Sequence, residues 1–283
     1  MNLIYEPKGK AREYSPLALN IYNGCDHDCT YCYVKTIPFV NQSTTPIPKA
    51  NILENLEKEL RRTSITNQVL LSFISDPYCM AETMGGDKEG GYGITRQVLE
   101  ILNRHNVPVA ILTKGGHRCL RDLDLFKDFV SIKVGATLTF DNKRDSLKWE
   151  PGAAIPIYRL DALKTLYDNG IMTWASFEPV IEPKQSLNLI EETLPFIDQY
   201  KLGKWNYDPM ADKIDWTTYI KEAVAILRSA GKQFYVKKNL RKYAHGLTAE
   251  ESDMDFMSLT ARPGTENQLH YFKGEIHLKN GLR

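Results

Sequence analysis

The chain has 283 residues, of which 42% are hydrophobic and 25% charged, and 36 basic against 35 acidic side chains leave a net charge of +1. This composition is typical of a globular domain and, over the whole chain, favours neither a strongly basic nucleic-acid binder nor an acidic, solvated chain, while leaving room for a local basic patch. We find no run of about 18 apolar residues and no signal-peptide pattern, so we expect no membrane span and a cytoplasmic location.

Short apolar, β-branched runs alternate with helical patterns along the chain. The strand candidates are Ala18–Tyr22, Gln68–Ser75, Pro108–Thr113, Val130–Leu138, Ile171–Val180 and Lys201–Tyr207. Apolar residues spaced three and four apart predict helices around 53–60, 94–102, 160–167 and 220–227. Asn169-Gly170 is expected to end the third of these helices. The alternation predicts a parallel sheet with crossover helices, either an open barrel or a doubly wound sheet.

Two connections and the C-terminal end depart from this alternation. Thr36–Lys49, with three prolines, is predicted to be a long connection. Met84–Gly93 contains five glycines and is either a flexible surface loop or a loop that folds over a ligand at the carboxyl edge of the sheet. The pattern is lost from His245 onward. We therefore predict one domain over 1–243 and an extension, 244–283, packed on it.

Five cysteines are present, and three of them, Cys25, Cys29 and Cys32, lie within eight residues directly after the first strand candidate. An odd count with this clustering is unlike a secreted disulfide framework and suits metal binding in a reducing compartment. Three thiolates at this spacing can hold three irons of a four-iron–four-sulfur cluster, which leaves the fourth iron without a protein ligand.

The three cysteines have two alternative uses. Structural zinc normally takes four ligands in paired spacings, whereas this chain has no second cysteine pair. His27 could supply a fourth ligand by folding back within the same short loop. The remaining alternative is that the three thiols hold nothing.

The motif resembles the signature of the radical S-adenosylmethionine (SAM) superfamily, with Tyr31 at its aromatic position. Longer stretches are similar to the subgroup related to spore photoproduct lyase, also described as DNA repair photolyase-like: 20–33, 75–78, 92–99, 111–114, 203–207, 214–216 and 234–239. This resemblance covers roughly 4–242. It implies a partial (β/α)6 barrel, a 4Fe-4S cluster, SAM bound at its open iron, and an electron donor such as flavodoxin or ferredoxin.

The resemblance also implies roles for individual residues. Tyr31 lies against the adenine of SAM in the family, and Tyr31 and Tyr33 match a tyrosine pair that relays a hydrogen atom. Contacts to SAM are implied for Ser75, Asp76, Lys114, Arg159 and Glu178. Plainer alternatives exist: Lys114 as a turn lysine, Arg159 paired with Asp161 or Glu150, Glu178 capping a loop, and Tyr33 as ordinary packing.

The sequence departs from the lyase at the position of its hydrogen-donating cysteine, where this chain has Phe73. Cys79 is a candidate replacement donor if the turn at Pro77 brings it inward; otherwise it is a buried, inert thiol. Cys119 is expected to be structural. Ala136 stands where a serine is common in the subgroup. These departures make faithful spore photoproduct repair doubtful.

A basic cluster near the last strand suggests a DNA contact. It comprises Lys232, Lys237, Lys238, Arg241 and Lys242, with Phe234, Tyr235 and Tyr243 between them. Lysines and aromatic rings together can contact phosphates and stack on bases, although charge runs are more often solvated surface.

Three functions follow. The first is a radical SAM lyase-like enzyme that abstracts hydrogen from a nucleic-acid base or nucleotide-linked group. The second keeps the chemistry but acts on a peptide, a small metabolite or a hypermodified thymidine. The third is a non-enzymatic metal-binding nucleic-acid module.

Overall fold

The computed structural model describes residues 2–38, 40, 43–84 and 93–253. Ten strands are present in this part of the chain: β1 (Ile4–Tyr5), β2 (Leu17–Leu19), β3 (Tyr22–Asn23), β4 (Ile47–Pro48), β5 (Val69–Leu71), β6 (Val109–Thr113), β7 (Ile132–Thr137), β8 (Met172–Phe177), β9 (Gln199–Leu202) and β10 (Gln233–Val236). The α-helices of the same part are α1 (Ile52–Leu60), α2 (Ala81–Met84), α3 (Ile94–Arg104), α4 (Leu123–Asp128), α5 (Lys143–Trp149), α6 (Pro156–Asp168), α7 (Pro183–Thr193), α8 (Trp216–Ser229), α9 (Lys238–Arg241) and α10 (Ala249–Ser252).

Eight strands form one sheet in the order β1-β2-β5-β6-β7-β8-β9-β10. Each neighbouring pair from β2 to β10 is parallel, and β1 pairs antiparallel with β2 at the edge. The predicted α/β fold with a parallel sheet and crossover helices is thereby confirmed. The first strand candidate was too long, because the chain leaves the sheet after Leu19 and Tyr22–Asn23 instead pairs with Ile47–Pro48.

Two apolar cores fill the space between the sheet and its helices. One includes residues of β2, β5 and β6 with α1, α3 and α4, and the other includes β8 and β9 with α7 and α8. The helices form where the apolar spacing predicted them. Gly170, at φ +83°, follows α6 in the left-handed conformation expected of a helix cap.

The opposite face of the sheet is more polar. Lys133 on β7 and Lys201 on β9 are buried there beside Trp174 of β8. Lys201 Nζ donates to the carbonyl oxygens of Glu13 and Tyr14, at 2.9 and 2.8 Å. These bonds attach the N-terminal segment to the inner face of the sheet, so it becomes part of the site described below.

The start of the predicted C-terminal extension lies against the last helices of the domain. Glu251 of α10 pairs with Arg228 of α8, and Arg241 donates to the Ser252 carbonyl oxygen. Residues 254–283 and residues 85–92 of the glycine-rich stretch are outside the described residues, so the domain boundary and the loop stay predictions. Among the described helices, none is both long and apolar enough to cross a membrane.

Candidate active site

A cavity of about 580 Å³ lies at the carboxyl ends of the parallel strands. Ser72–Asp76 after β5, Lys114 after β6, Thr137 at the end of β7 and Glu178 after β8 all contribute to its wall. Parallel α/β folds present their ligands at this edge, and the volume is in the range of ordinary ligand sites.

The loop after β2 carries Cys25, Cys29 and Cys32, and all three line the cavity. Its geometry depends on close backbone approaches. Gly24 has φ +82°, and a Cβ there would lie 2.7 Å from the carbonyl oxygens of Ser43 and Thr45. A side chain at Gly152 would meet the Asp26 carbonyl oxygen at 2.0 Å. Small residues therefore let two other segments pack against the cysteine loop and fix it.

Burial and the neighbouring charged groups both act on the ionisable side chains of this loop. Burial raises the pKa of Cys29 to about 11, with Lys114 acting in the opposite direction. Burial alone would lower the pKa of Lys114, but Cys29 and Glu150 outweigh it and the pKa is raised. Among the described residues, no three His, Cys, Asp or Glu side chains converge on one point as ligands of a single ion. A cubane differs from such a site because each thiolate binds a separate iron.

His27 is occupied by contacts other than the cysteines. Its ring is 2% exposed, Nε2 accepts from Arg118 Nη2 at 2.9 Å, and Nδ1 lies 3.4 Å from Asp76 Oδ2. Burial lowers the pKa of His27. A neutral ring donating through Nδ1 fits these contacts, and His27 thus braces the loop between its first two cysteines.

Ser75 and Asp76, predicted to contact SAM, both line the cavity. Asp76 accepts from Thr113 Oγ1, the Lys114 amide and the Tyr78 amide at 2.6–2.8 Å, so it joins the ends of β5 and β6. By contrast, Ser75 Oγ is buried without a partner in the structure. A buried hydroxyl facing a cavity fits a ligand that brings its own polar group.

Tyr31, Glu150, Arg159 and Lys114 form a buried network behind the cysteines. Tyr31 donates to Glu150, which also pairs with Arg159 at 2.5 Å and lies 4.0 Å from Lys114 Nζ. Burial alone would raise the pKa of Glu150, but Arg159 and Lys114 lower it.

Arg159 is not among the residues that line the cavity. Its remaining donors bond the carbonyl oxygens of Thr137 and Ala154. The structure therefore shows the Glu150 pairing that the sequence left open, and the contact of Arg159 to SAM stays a prediction. Asp161, the other candidate partner, bonds His117.

The candidates for hydrogen transfer differ in whether they line the cavity. Tyr33 lines the cavity, and its hydroxyl donates to the Phe73 carbonyl oxygen at 2.7 Å. Cys79 is fully buried and is not part of the lining, so the structure agrees with the inert-thiol alternative and not with a donor that the Pro77 turn brings inward. Cys119 is also buried and donates to the Gly116 carbonyl oxygen, as a structural thiol would.

Glu178 faces the cavity from the opposite wall. Its carboxylate accepts from Tyr14 at 2.7 Å, from Asn206 at 3.0 Å and from Lys237. Sequence reasoning placed Lys237 in a surface cluster and missed Tyr14 and Asn206. No local motif marks Tyr14, because it reaches the cavity only through the bonds that hold the N-terminal segment on β9.

The predicted basic cluster is divided by the fold. Lys237 is buried against Glu178, Lys232 donates to the Ile197 carbonyl oxygen, and Arg241 bonds the Val236 carbonyl oxygen. Lys238 and Lys242 are exposed. The five residues therefore do not form one basic surface.

The model of the radical SAM superfamily matches residues 19–197, which include the cysteine loop and β5 to β8. The chain belongs to the radical SAM superfamily. It is therefore an enzyme whose cofactors are a 4Fe-4S cluster and SAM, and the three cysteines and the unpartnered Ser75 hydroxyl fit these groups.

The sequence relatives reported below are uncharacterized proteins. An uncharacterized protein of Methanocaldococcus jannaschii is 34% identical over 189 residues, which is 64% of this chain and 67% of that protein. An uncharacterized protein of Mycobacterium bovis is 28% identical over 174 residues, 58% of this chain. The aligned part spans 49% of the mycobacterial protein.

Solved structures show the same fold at low sequence identity. A spore photoproduct lyase mutant has a TM-score of 0.64 at 11% identity, covering 84% of this chain and 79% of the lyase. The lyase complexed with dinucleoside spore photoproduct gives 0.61 at 13%, covering 82% and 79%. Streptococcus suis SuiB bound to SAM gives 0.59 at 12%, covering 83% of this chain and 53% of SuiB.

Proposed function

We propose that this enzyme cleaves SAM reductively and uses the resulting 5′-deoxyadenosyl radical to abstract hydrogen from a nucleic-acid base or a nucleotide-linked group. A narrower form of the proposal is lyase chemistry on a DNA lesion, as the likeness to spore photoproduct lyase suggests. Phe73, at the position of the lyase's hydrogen-donating cysteine, favours a modified base over the photoproduct as substrate. A cytoplasmic location and a flavodoxin or ferredoxin as electron donor belong to the proposal.

The composition of the cavity wall carries this proposal. Among the described residues that line the cavity, six are lysines and three are carboxylates: Lys8, Lys10, Lys35, Lys114, Lys204 and Lys237 against Asp28, Asp76 and Glu178. The whole chain is almost neutral, so positive charge is concentrated here. Aromatic rings share the wall, namely Tyr5, Tyr14, Tyr31, Tyr33, Phe73, Trp205 and Tyr207. A ligand that is both anionic and planar, such as a nucleotide, complements this wall.

In this proposal, one wall of the cavity binds the cofactors and the opposite wall faces the substrate. Cys25, Cys29 and Cys32 would hold the cluster, and Ser75 and Lys114 lie beside them to orient SAM. Glu178, fixed by three donors, faces the space left for the substrate. Holding the two reactants at close range in a water-poor pocket is the main contribution of the protein in this chemistry.

Anaerobic reconstitution tests the proposal. The cluster-loaded protein, given dithionite and SAM, should form 5′-deoxyadenosine, which chromatography with mass detection measures. Deuterium recovered in 5′-deoxyadenosine from a deuterated oligonucleotide then reports whether a nucleotide is the hydrogen source, and deuterium from SAM labelled at the 5′ carbon that appears in the oligonucleotide reports transfer back to it. A cluster-replete sample that forms no 5′-deoxyadenosine would contradict the proposal.

A further inference from the structure

Tyr207 stands out at the rim of the cavity. Its side chain is 66% exposed, so its ring gains little from burial. Its backbone has φ +65°, a left-handed conformation that is unfavourable for a bulky residue. Strained residues of this kind persist where the surrounding structure imposes them, and they concentrate at functional sites.

The segment that leads into Tyr207 makes several tertiary contacts. Asn206 donates to Glu178 Oε1 at 3.0 Å and to the Lys204 carbonyl oxygen at 2.7 Å, and Asn239 donates to Asn206 Oδ1 at 2.7 Å. Gly203 lies so close to Glu178 that a Cβ would approach its Cδ to 2.8 Å. The segment before Tyr207 is therefore fixed on the cavity wall, and it presents the ring at the opening.

A lysine ammonium group lies over the Tyr207 ring. Lys10 Nζ lies 4.4 Å from the centroid of Tyr207, and Lys8 and Lys10 both line the cavity. Tyr33, which is 37% exposed, lines the same cavity. With Lys10 over one face and most of the side chain exposed, the other face of Tyr207 is available to a planar ligand.

We propose that Tyr207 is a stacking platform for a base of a single nucleic-acid strand, and that Lys10 contacts a phosphate of the same strand. The base next to the stacked one would then enter the cavity toward Tyr33 and the cysteine loop. Stacking accepts any base, and lysine contacts follow the backbone, so the rim recognises the strand rather than its sequence. A target in a duplex must first be extruded.

This inference rests on the proposed function, since it assigns the strand to the same cavity. The probe is a fluorescein-labelled ten-nucleotide oligothymidylate, and binding to the full, cluster-loaded chain is measured by fluorescence anisotropy at several salt concentrations. Tyr207→Ala should weaken binding by about five- to a hundredfold, whereas Tyr207→Phe should bind like the native protein. Lys10→Ala should reduce the slope of log affinity against log salt by about 0.7.

Tyr207→Gly separates binding from folding. Glycine adopts a φ near +65° without strain, so this variant should unfold at or above the native temperature yet bind as weakly as Tyr207→Ala. Tyr158→Ala removes a ring that is 50% exposed on α6, and Lys221→Ala removes an exposed lysine on α8. Both controls should bind the strand like the native protein.

Three results would overturn the inference: no binding of the strand by the native protein, native affinity in both Tyr207→Ala and Tyr207→Gly, or a loss in Tyr207→Phe equal to that in Tyr207→Ala. Displacement of the strand by an acidic decapeptide with equal sensitivity to Tyr207 would also contradict a base-stacking role. Failure of the proposed function is seen separately, as absence of 5′-deoxyadenosine in the native protein.

Discussion

The two walls of the cavity are built differently. On the cysteine wall, charged groups are buried and paired, as in the network of Tyr31, Glu150 and Arg159. On the opposite wall, contacts converge on Glu178, but the rim above it is exposed and includes Tyr207 in a strained backbone. Under our proposal the cysteine wall holds the cofactors, and the exposed rim contacts a ligand that enters from solvent.

The largest effect is expected at the cysteine wall. Cys29→Ala removes one thiolate of the three and should abolish both iron–sulfur absorption near 400 nm and formation of 5′-deoxyadenosine. Cys119→Ala, which removes a buried thiol outside the cavity, should retain both. Equal iron content in the two variants would contradict the assignment of the cluster to the cysteines of this wall.

The buried network should be the most sensitive to loss of charge. Glu150→Gln leaves Arg159 and Lys114 without their shared carboxylate, so the free energy of unfolding should fall by about 3–5 kcal/mol. Urea denaturation measures the change. Glu54→Gln removes an equivalent charge from an exposed pair with Lys58 and should leave the midpoint unchanged.

Lys133, beneath the cavity, gives a pH-dependent effect. Burial lowers its pKa to about 7, so between pH 7 and about 10 the unfolded chain binds a proton that the folded protein has released, and native stability rises with pH. Lys133→Met should raise the free energy of unfolding by on the order of 1–3 kcal/mol at pH 7. That gain should shrink toward pH 10 in urea titrations.

Lys221→Met, at an exposed position of α8, is the matched control and should show no such trend. A stability difference for Lys133→Met that stays constant from pH 7 to pH 10 would contradict the release of its proton in the folded protein.

The smallest effect is expected at the carboxylate of the opposite wall. Tyr14→Phe keeps the ring but removes the hydrogen bonds of its hydroxyl with Glu178 and Ser176, and it should cost about 1.5 kcal/mol because the Glu178 acceptor is charged. Tyr219→Phe removes a bond to the neutral Ser186 hydroxyl and should cost about 1 kcal/mol or less. Thermal unfolding of both variants shows which substitution costs more. A larger cost for Tyr219→Phe would contradict a charged Glu178 acceptor for Tyr14.

Local spacing in the sequence predicted the parallel sheet, four of the helices and the three clustered cysteines, and the resemblance of the cysteine motif to a known signature indicated the superfamily. Three thiolates in eight residues are sufficient to indicate a cluster, and apolar periodicity is sufficient to predict a parallel sheet. Ser75, Asp76 and Lys114 were predicted from the resemblance to the family, which places contacts to SAM at the ends of these strands.

Which charged groups face the cavity depends on long-range packing. Arg159 and Glu150 are nine residues apart and could have pointed elsewhere, but packing buries them together. Lys237 looked like part of a surface cluster until β10 placed it beside Glu178. Tyr14 is more than 160 residues from Glu178, and only the bonds between the N-terminal segment and β9 bring them together. Such contacts depend on sheet order and burial, which local sequence patterns do not specify.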